Sequence, residues 1–191
     1  MDGKVYTIIA KKGAGKTNFV ENEILNLWGF RKNYIYDKNE EYKGFKNEFL
    51  PCTNKEDFLE KISTEASQPR SYSNIIFEEA THYIRRHQDQ DGRLLEQTGR
   101  TWHTKNIVVF IFLSMLAVPK ELFSDTTFWV IFQTGDDIEA VKRMYKGKPE
   151  VLNAYLDVCK KTKGTTFDRS TKIYGDERSK EFYHYHRIIS Q

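Results

Sequence analysis

Hydrophobic and polar positions follow two periods along the chain. Short apolar runs rich in β-branched and aromatic residues recur at Val5–Ile9, Tyr34–Tyr36, Ile75–Phe77, Ile107–Leu113 and Thr127–Phe132. Each predicts a buried strand. Between them the apolar residues fall at helical spacing. Phe19, Val20, Ile24 and Leu27 form one face from Lys16 onward, and Phe58, Leu59 and Ile62 another between Lys55 and Ala66, where Thr53 or Asn54 can cap. Further helices are predicted over Arg93–Thr104, from a cap at Asp136 through Tyr145 with Ile138, Val141 and Met144 inside, and over Glu150–Lys161. Glu48–Cys52 predicts a short edge strand limited by Pro51, and the alternation in Phe182–Ile189 predicts an edge strand or hairpin in the tail. Strands that alternate with helices predict an α/β fold, a mostly parallel sheet with helices on both faces. The most apolar run, Ile107–Leu113, is the expected central strand.

A chain of 191 residues is enough for one domain with a real core. We expect a single domain over 1–191, with a core over about 1–146 and a C-terminal helix and tail over 150–191. Thirty Lys and Arg against 27 Asp and Glu give a net charge of +3. That neither indicates nucleic-acid binding nor forbids a local basic patch. Cys52 and Cys159 lie far from any Cys or His at zinc-finger spacing, which predicts free thiols in a reducing compartment. There is no secretory signal pattern, and the longest apolar run is too short to span a bilayer. A soluble, intracellular protein is expected.

Candidate chemistry begins at the first strand. Ala10 to Gly15 is a small-residue turn, and Lys16-Thr17 opens the first helix. Strand, glycine loop, Lys-Thr and helix in that order form a P-loop. Gly13 and Gly15 let successive N–H groups turn toward phosphate oxygens, and the helix N-terminus adds partial positive charge. The predicted nucleotide cradle is Lys12, Gly13, Ala14, Gly15, Lys16, Thr17 and Asn18. Lys16 is expected at the β- and γ-phosphates of ATP, and the Thr17 hydroxyl at Mg²⁺. Ala10 departs from the pattern, because glycine is usual there and alanine disfavours positive φ.

The strand Ile75–Phe77 delivers Glu78 and Glu79 at its end, a Walker B arrangement. Glu78 is expected to hold Mg²⁺ through water, one methylene longer than the usual Asp. Glu79 is expected to be the general base for the attacking water. Asp37 ends the second strand, either as an acid on the ligand-binding edge of a parallel sheet or as part of a polar turn. The strand inserted between the P-loop strand and the Glu78–Glu79 strand, with a glutamate base, places the chain with RecA-like P-loop ATPases and apart from nucleotide kinases.

Four segments carry a closer resemblance. They are Ala-Lys-Lys-Gly-Ala-Gly-Lys-Thr at the P-loop, Tyr-Asp-Lys-Asn-Glu-Glu-Tyr at 36–42, Ile-Ile-Phe-Glu-Glu-Ala at 75–80, and Gly-Arg at 99–100 before an apolar strand. Val-Pro-Lys-Glu-Leu at 118–122 and Phe-Gln-Thr-Gly-Asp-Asp at 132–137 add a softer match. In this order the chain resembles the FtsK/HerA group of motor ATPases, most of all the genome-packaging ATPases of membrane-containing double-jelly-roll viruses. The resemblance implies a homo-oligomeric ring that hydrolyses ATP at subunit interfaces. Such a ring would pull double-stranded DNA into a preformed capsid, meet capsid or packaging-vertex proteins, and work in the host cytoplasm or virion. It also implies that Arg100 is an arginine finger acting on a neighbour, with Arg93 and Arg86 as fallbacks, or else a solvated surface arginine. Ser114 stands where that group places a γ-phosphate-sensing Gln and could act only through a water. Arg85, Arg86, Lys142 and Arg143 are DNA candidates, or solvated faces. His184 and His186 share a strand face without a third metal ligand.

Three other readings compete. A filamentous-phage-type virion assembly ATPase would normally carry a membrane span. A nucleotide-dependent binding module would show little turnover, and a small-molecule kinase fits poorly with paired glutamates.

Overall fold

A computed structural model describes residues 3–25, 31–42, 49–78, 80–84, 92–162 and 187–190. The described strands form one seven-stranded sheet. They are β1 (Lys4–Ile9), β2 (Lys32–Tyr36), β3 (Phe49–Cys52), β4 (Ser73–Phe77), β5 (Ile107–Phe112), β6 (Phe128–Ile131) and β7 (Arg187–Ser190). Their order across the sheet is β3-β2-β4-β5-β1-β6-β7. Strands β1 to β6 run parallel, and β7 closes the β6 edge antiparallel. The tail therefore contributes an edge strand, and β3 is the opposite edge, as its Pro51 requires.

Strand β5 sits in the middle, and all six of its residues are buried. Its all-apolar Ile-Val-Val-Phe-Ile-Phe sequence is what a strand covered on both faces needs. It separates β1 from β4, so the P-loop strand and the Glu78 strand are neighbours once removed. The fold is a RecA-like α/β P-loop fold.

The helices are α1 (Lys16–Phe19), α2 (Lys55–Lys61), α3 (Ala80–Tyr83), α4 (Gly92–Thr104), α5 (Leu122–Asp125), α6 (Ile138–Met144) and α7 (Pro149–Thr162). Helices α1 and α2 continue through wider π-type turns over Val20–Leu25 and Ile62–Ala66. Alternate strand side chains enter two separate cores. Tyr6, Ile8, Ile35, Val109 and Ile111 pack with Phe19, Val20 and Ile24 of the first helix. On the other face, Ile9, Tyr36, Phe77, Phe110 and Trp129 pack with Phe58 and Leu59 of α2, Val141 of α6 and Tyr155 of α7.

Local details differ from expectation. The cap of α6 is Asp137, whose carboxylate accepts from Glu139 N at 3.2 Å, and not Asp136. Asp136 is held instead by Met115 N at 2.7 Å and by the Ser114 hydroxyl. Ile138, expected inside, is 40% exposed. The short helix α5 was not predicted. Asn54 supplies the cap of α2, accepting from Glu56 N at 2.8 Å. Cys52 and Cys159 are free thiols. Among the described residues no helix is long and apolar enough to cross a membrane.

Candidate nucleotide site

Because β1 to β6 are parallel, the segments that follow them meet at one edge of the sheet. The 10–17 loop follows β1, the 37–42 turn follows β2, Glu78 follows β4 and Ser114 follows β5. Backbone bonds tie them together. Glu78 N donates to Tyr36 O at 3.2 Å, Ala10 N to Phe112 O at 2.9 Å and Lys11 N to Gln133 O at 3.1 Å.

In the loop, Gly13 and Gly15 have φ of +77° and +91°, a backbone that side chains rarely adopt. Gly15 also starts α1. A Cβ at either position would have no atom within 4 Å, so their conformation requires glycine while the space above them is open. Among the described residues the non-glycines at positive φ are Glu40, Arg70, Tyr72 and Lys105. Ala10 therefore has an ordinary backbone. It prolongs β1 toward Phe112, and its buried methyl packs with Val20 and Ile24.

Lys16 is 6% exposed, and its ammonium is met by two carboxylates. Nζ lies 3.2 and 3.3 Å from the Glu78 oxygens and 3.2 Å from Glu41 Oε2. The Thr17 hydroxyl donates to the same Glu41 oxygen at 2.7 Å. The Tyr42 hydroxyl donates to Glu78 Oε1 at 2.8 Å. The longer side chain of Glu78 thus reaches both Lys16 and Tyr42 while remaining buried.

Burial pulls the Lys16 ammonium down, but Glu78 and Glu41 together outweigh it and hold it above its ordinary value. Burial lifts the Glu78 carboxyl above the usual range. Lys16 and the Tyr42 hydroxyl offset this only in part, and the nearby Glu41 charge adds to the rise. Glu41 is less buried. Burial raises it, and the Thr17 hydroxyl with Lys16 brings it below its ordinary value. Burial, then the Glu78 charge, keep the Tyr42 phenol neutral far beyond its usual range.

Asp37 is buried and accepts from Glu41 N at 2.9 Å and Tyr42 N at 3.0 Å. Its carboxylate anchors the turn that presents Glu41 and Tyr42, which is the polar-turn reading of this residue. Glu41 and Tyr42 carry contacts that reading the sequence did not assign to them. The available signal was an acid ending a strand, followed at four and five residues by an acid and a tyrosine.

The Ser114 hydroxyl is shared between Leu116 N, which donates to it at 3.1 Å, and the Asp136 carboxylate. It lies on the correct edge but serves the start of the next turn. Arg100 is exposed and ion-paired to Glu96 one helical turn away. It is the ninth of 13 residues in α4, whose last turn leads into the start of β5. The structure does not bring Arg100 to the Lys16 cluster of its own chain. Lys142 and Arg143 are exposed on the last turn of α6, with Lys142 paired to Glu139 at 2.8 Å. Glu79, Arg85, Arg86, His184, His186 and the side chain of Arg93 lie outside the described residues.

The donors at this edge fit a magnesium nucleotide. Thr17 and the Glu78 and Glu41 carboxylates are hard oxygen ligands of the kind Mg²⁺ takes. Lys16 and an open glycine loop at a helix N-terminus suit phosphates.

No family model matches the sequence, and no curated protein matches it. The fold does have solved counterparts. The structure is similar to the genome packaging NTPase B204 from Sulfolobus turreted icosahedral virus 2 in complex with AMPPCP. The TM-score is 0.66 at 14% identity, covering 85% of this chain and 88% of that one. B204, the DNA-packaging ATPase from Sulfolobus turreted icosahedral virus, gives 0.66 at 15% identity, covering 83% and 88%. The virus 2 protein in complex with ATP-gammaS gives 0.65 at 15% identity, covering 86% and 88%. The chain has the fold of B204.

Proposed function

We propose that this chain is the ATPase of a viral genome-packaging motor, which hydrolyses ATP to move double-stranded DNA into a preformed capsid. The observation that carries this is the Lys16–Thr17–Glu78 cluster at the carboxyl edge, with β5 between the two strands that supply it, on the fold of a packaging NTPase. Residues 1–191 act as one domain. The loop N–H groups of Lys12 to Asn18 and the Lys16 ammonium hold the ATP phosphates. Thr17, and Glu78 through water, would hold Mg²⁺, which when bound offsets charge on the β- and γ-phosphate oxygens. Glu79 takes the proton of the water that adds to the γ-phosphorus as ADP leaves. Arg100, remote from its own cluster, acts in trans within a homo-oligomeric ring. Lys142 and Arg143 with Arg85 and Arg86 meet DNA phosphates without reading sequence. The motor assembles with capsid or packaging-vertex proteins in the host cytoplasm and virion.

Glu79→Gln tests this. We expect it to bind ATP as the wild type does and to lose hydrolysis, with wild-type turnover stimulated by double-stranded DNA. Full turnover by Glu79→Gln in the presence of DNA overturns the assignment. Wild-type hydrolysis indifferent to DNA leaves an ATPase but removes the motor.

A further inference from the structure

The edge opposite the phosphate loop, where the parallel strands begin, carries a second cluster of unusual residues. The loop over residues 67–72 lies against the end of α4 there, fixed by Asn106. This buried side chain accepts from Ser73 N at 2.8 Å and Ser71 Oγ at 2.7 Å, and donates to Ala66 O at 2.7 Å. Arg70 N donates to His103 O at 3.0 Å, and Tyr72 N to Thr104 O at 3.1 Å. Gly3, at the start of β1, permits the close approach, since a Cβ there would lie 2.0 Å from the Thr101 carbonyl oxygen.

Three of the four non-glycine residues at positive φ among the described residues are in this cluster. They are Arg70 at 56°, Tyr72 at 51° and Lys105 at 60°. Lys105 ends α4, its N–H donating to Thr101 O at 2.8 Å, a position where glycine is the ordinary choice. Cationic and aromatic side chains are thus kept where glycine would suit the backbone better, as happens at binding sites.

The side chains form pairs of ring and cation. Trp102 is 63% exposed, with Lys105 Nζ 4.2 Å from its ring centroid. Tyr72 is 40% exposed, with the Arg31 guanidinium 5.7 Å from its ring. Arg31 Nη1 donates to Lys105 O at 2.5 Å, joining the two pairs. Arg70 is exposed beside them, and Lys4 and Lys32 open the neighbouring strands. Carboxylates near this edge are engaged among the described residues. Glu65 pairs with Lys32, Glu96 with Arg100, and Asp125 accepts from Thr98 at 2.6 Å.

Separate exposed rings, each beside a cation, differ from the continuous apolar patch of a protein interface. They match the way single nucleic-acid strands are held, with phosphates on cations and bases on ring faces. We infer that this edge is a binding site for single-stranded nucleic acid, in which Arg70 and Lys105 meet phosphates while Trp102 and Tyr72 stack bases. The site is separate from the phosphate-loop edge. It does not rest on the packaging reading, because it requires no nucleotide.

The test is fluorescence anisotropy of a labelled single strand of about 20 nucleotides, a length that exceeds one such site. It is titrated with the full chain across a range of salt, without ATP. Trp102→Ala should weaken binding about tenfold with the salt slope unchanged. Arg70→Glu with Lys105→Glu should weaken it at least as much and lower the slope of log K against log salt by about 1.4, two phosphate contacts. Trp102→Phe should restore binding, and Lys120→Glu with Lys160→Glu, charge-matched and elsewhere, should follow the wild type. Thermal melts accompany each variant, and Arg70→Gln with Lys105→Gln replaces the charge reversal if that pair unfolds. Wild-type affinity in Trp102→Ala, equal loss in the remote pair, or the same Trp102→Ala loss measured with a duplex of the same length overturns the inference. Failure of ATP hydrolysis leaves it standing.

Discussion

Asp37→Ala separates the two roles open to an acid at the end of β2. The carboxylate is 2% exposed and accepts from Glu41 N and Tyr42 N. Removing it strands one donor on a residue that is itself buried, Tyr42, and one on the less buried Glu41. A hydrogen bond to a charged acceptor contributes about 1.5–3 kcal/mol, and an unsatisfied buried donor costs about 1–3 kcal/mol. Water can reach the Glu41 N–H more easily, so we take the full effect at Tyr42 and a small one at Glu41, about 3 kcal/mol in all. For a chain of this size that lowers the melting temperature by about 6–12 °C. Far-UV circular dichroism melts with and without ATP measure it. Asp37→Asn, which keeps one acceptor oxygen, should lose about half as much. ATP should recover part of the loss, because ligand binding to the folded state stabilises it. If Asp37→Ala melts within about 1 °C of the wild type while hydrolysis disappears, Asp37 acts on the nucleotide itself and the anchoring argument is wrong.

Other outcomes follow from the same geometry. Ala10→Gly, which restores the usual loop residue, should leave nucleotide affinity unchanged and cost about 1 kcal/mol, since Ala10 is buried without positive φ. Tighter ATP binding in a fluorescent-analogue titration would contradict this. Tyr42 remains protonated in the folded protein above the pH, near 10, where an unfolded tyrosine ionises. The folded state then binds more protons, so stability falls as pH rises past that point. Tyr42→Phe should flatten the decline by up to about 1.4 kcal/mol per pH unit in urea unfolding series, and an unchanged slope refutes the assignment. Lys105→Gly relieves a left-handed lysine at a helix end and should gain about 1 kcal/mol of stability. It should also weaken single-strand binding, and a gain in both would detach the strain from the surface.

Much of the fold was legible because its signals are local. The apolar runs of β1, β4 and β5, and the glycine loop before Lys16-Thr17, each depend on residues next to one another. The departures depend on long-range competition. Asp136 and Asp137 both suit the cap of α6. Asp136 is withdrawn by Met115 N, 21 residues away, which lies near it only because β5 and β6 flank β1. Glu41 meets Lys16 and Thr17, 25 and 24 residues away, because β2 lies beside β4 and ends at the same edge. Nothing in the 36–42 segment alone distinguishes the acid that anchors the turn from the acid that reaches the lysine. The basic rim was hidden for another reason: sequence patterns assign left-handed backbone to glycine, and here Arg70, Tyr72 and Lys105 adopt it.

The three departures around the phosphate loop now have separate physical explanations. Ala10 replaces glycine at no conformational cost, because its backbone is that of a strand end. Ser114 is shorter than a glutamine and its hydroxyl is engaged by Asp136 and Leu116, so it serves the turn after β5. Glu78 is longer than aspartate, and its extra reach is used. It spans from the Lys16 ammonium to the Tyr42 hydroxyl, and Tyr42 is in turn held by Asp37. An aspartate at 78 would fall about 1.5 Å short of one of these partners, roughly one carbon–carbon bond. The glutamate, the tyrosine and the second-strand aspartate therefore form one unit. Substituting Glu78 alone by the more usual aspartate is expected to loosen Tyr42 as well as Lys16.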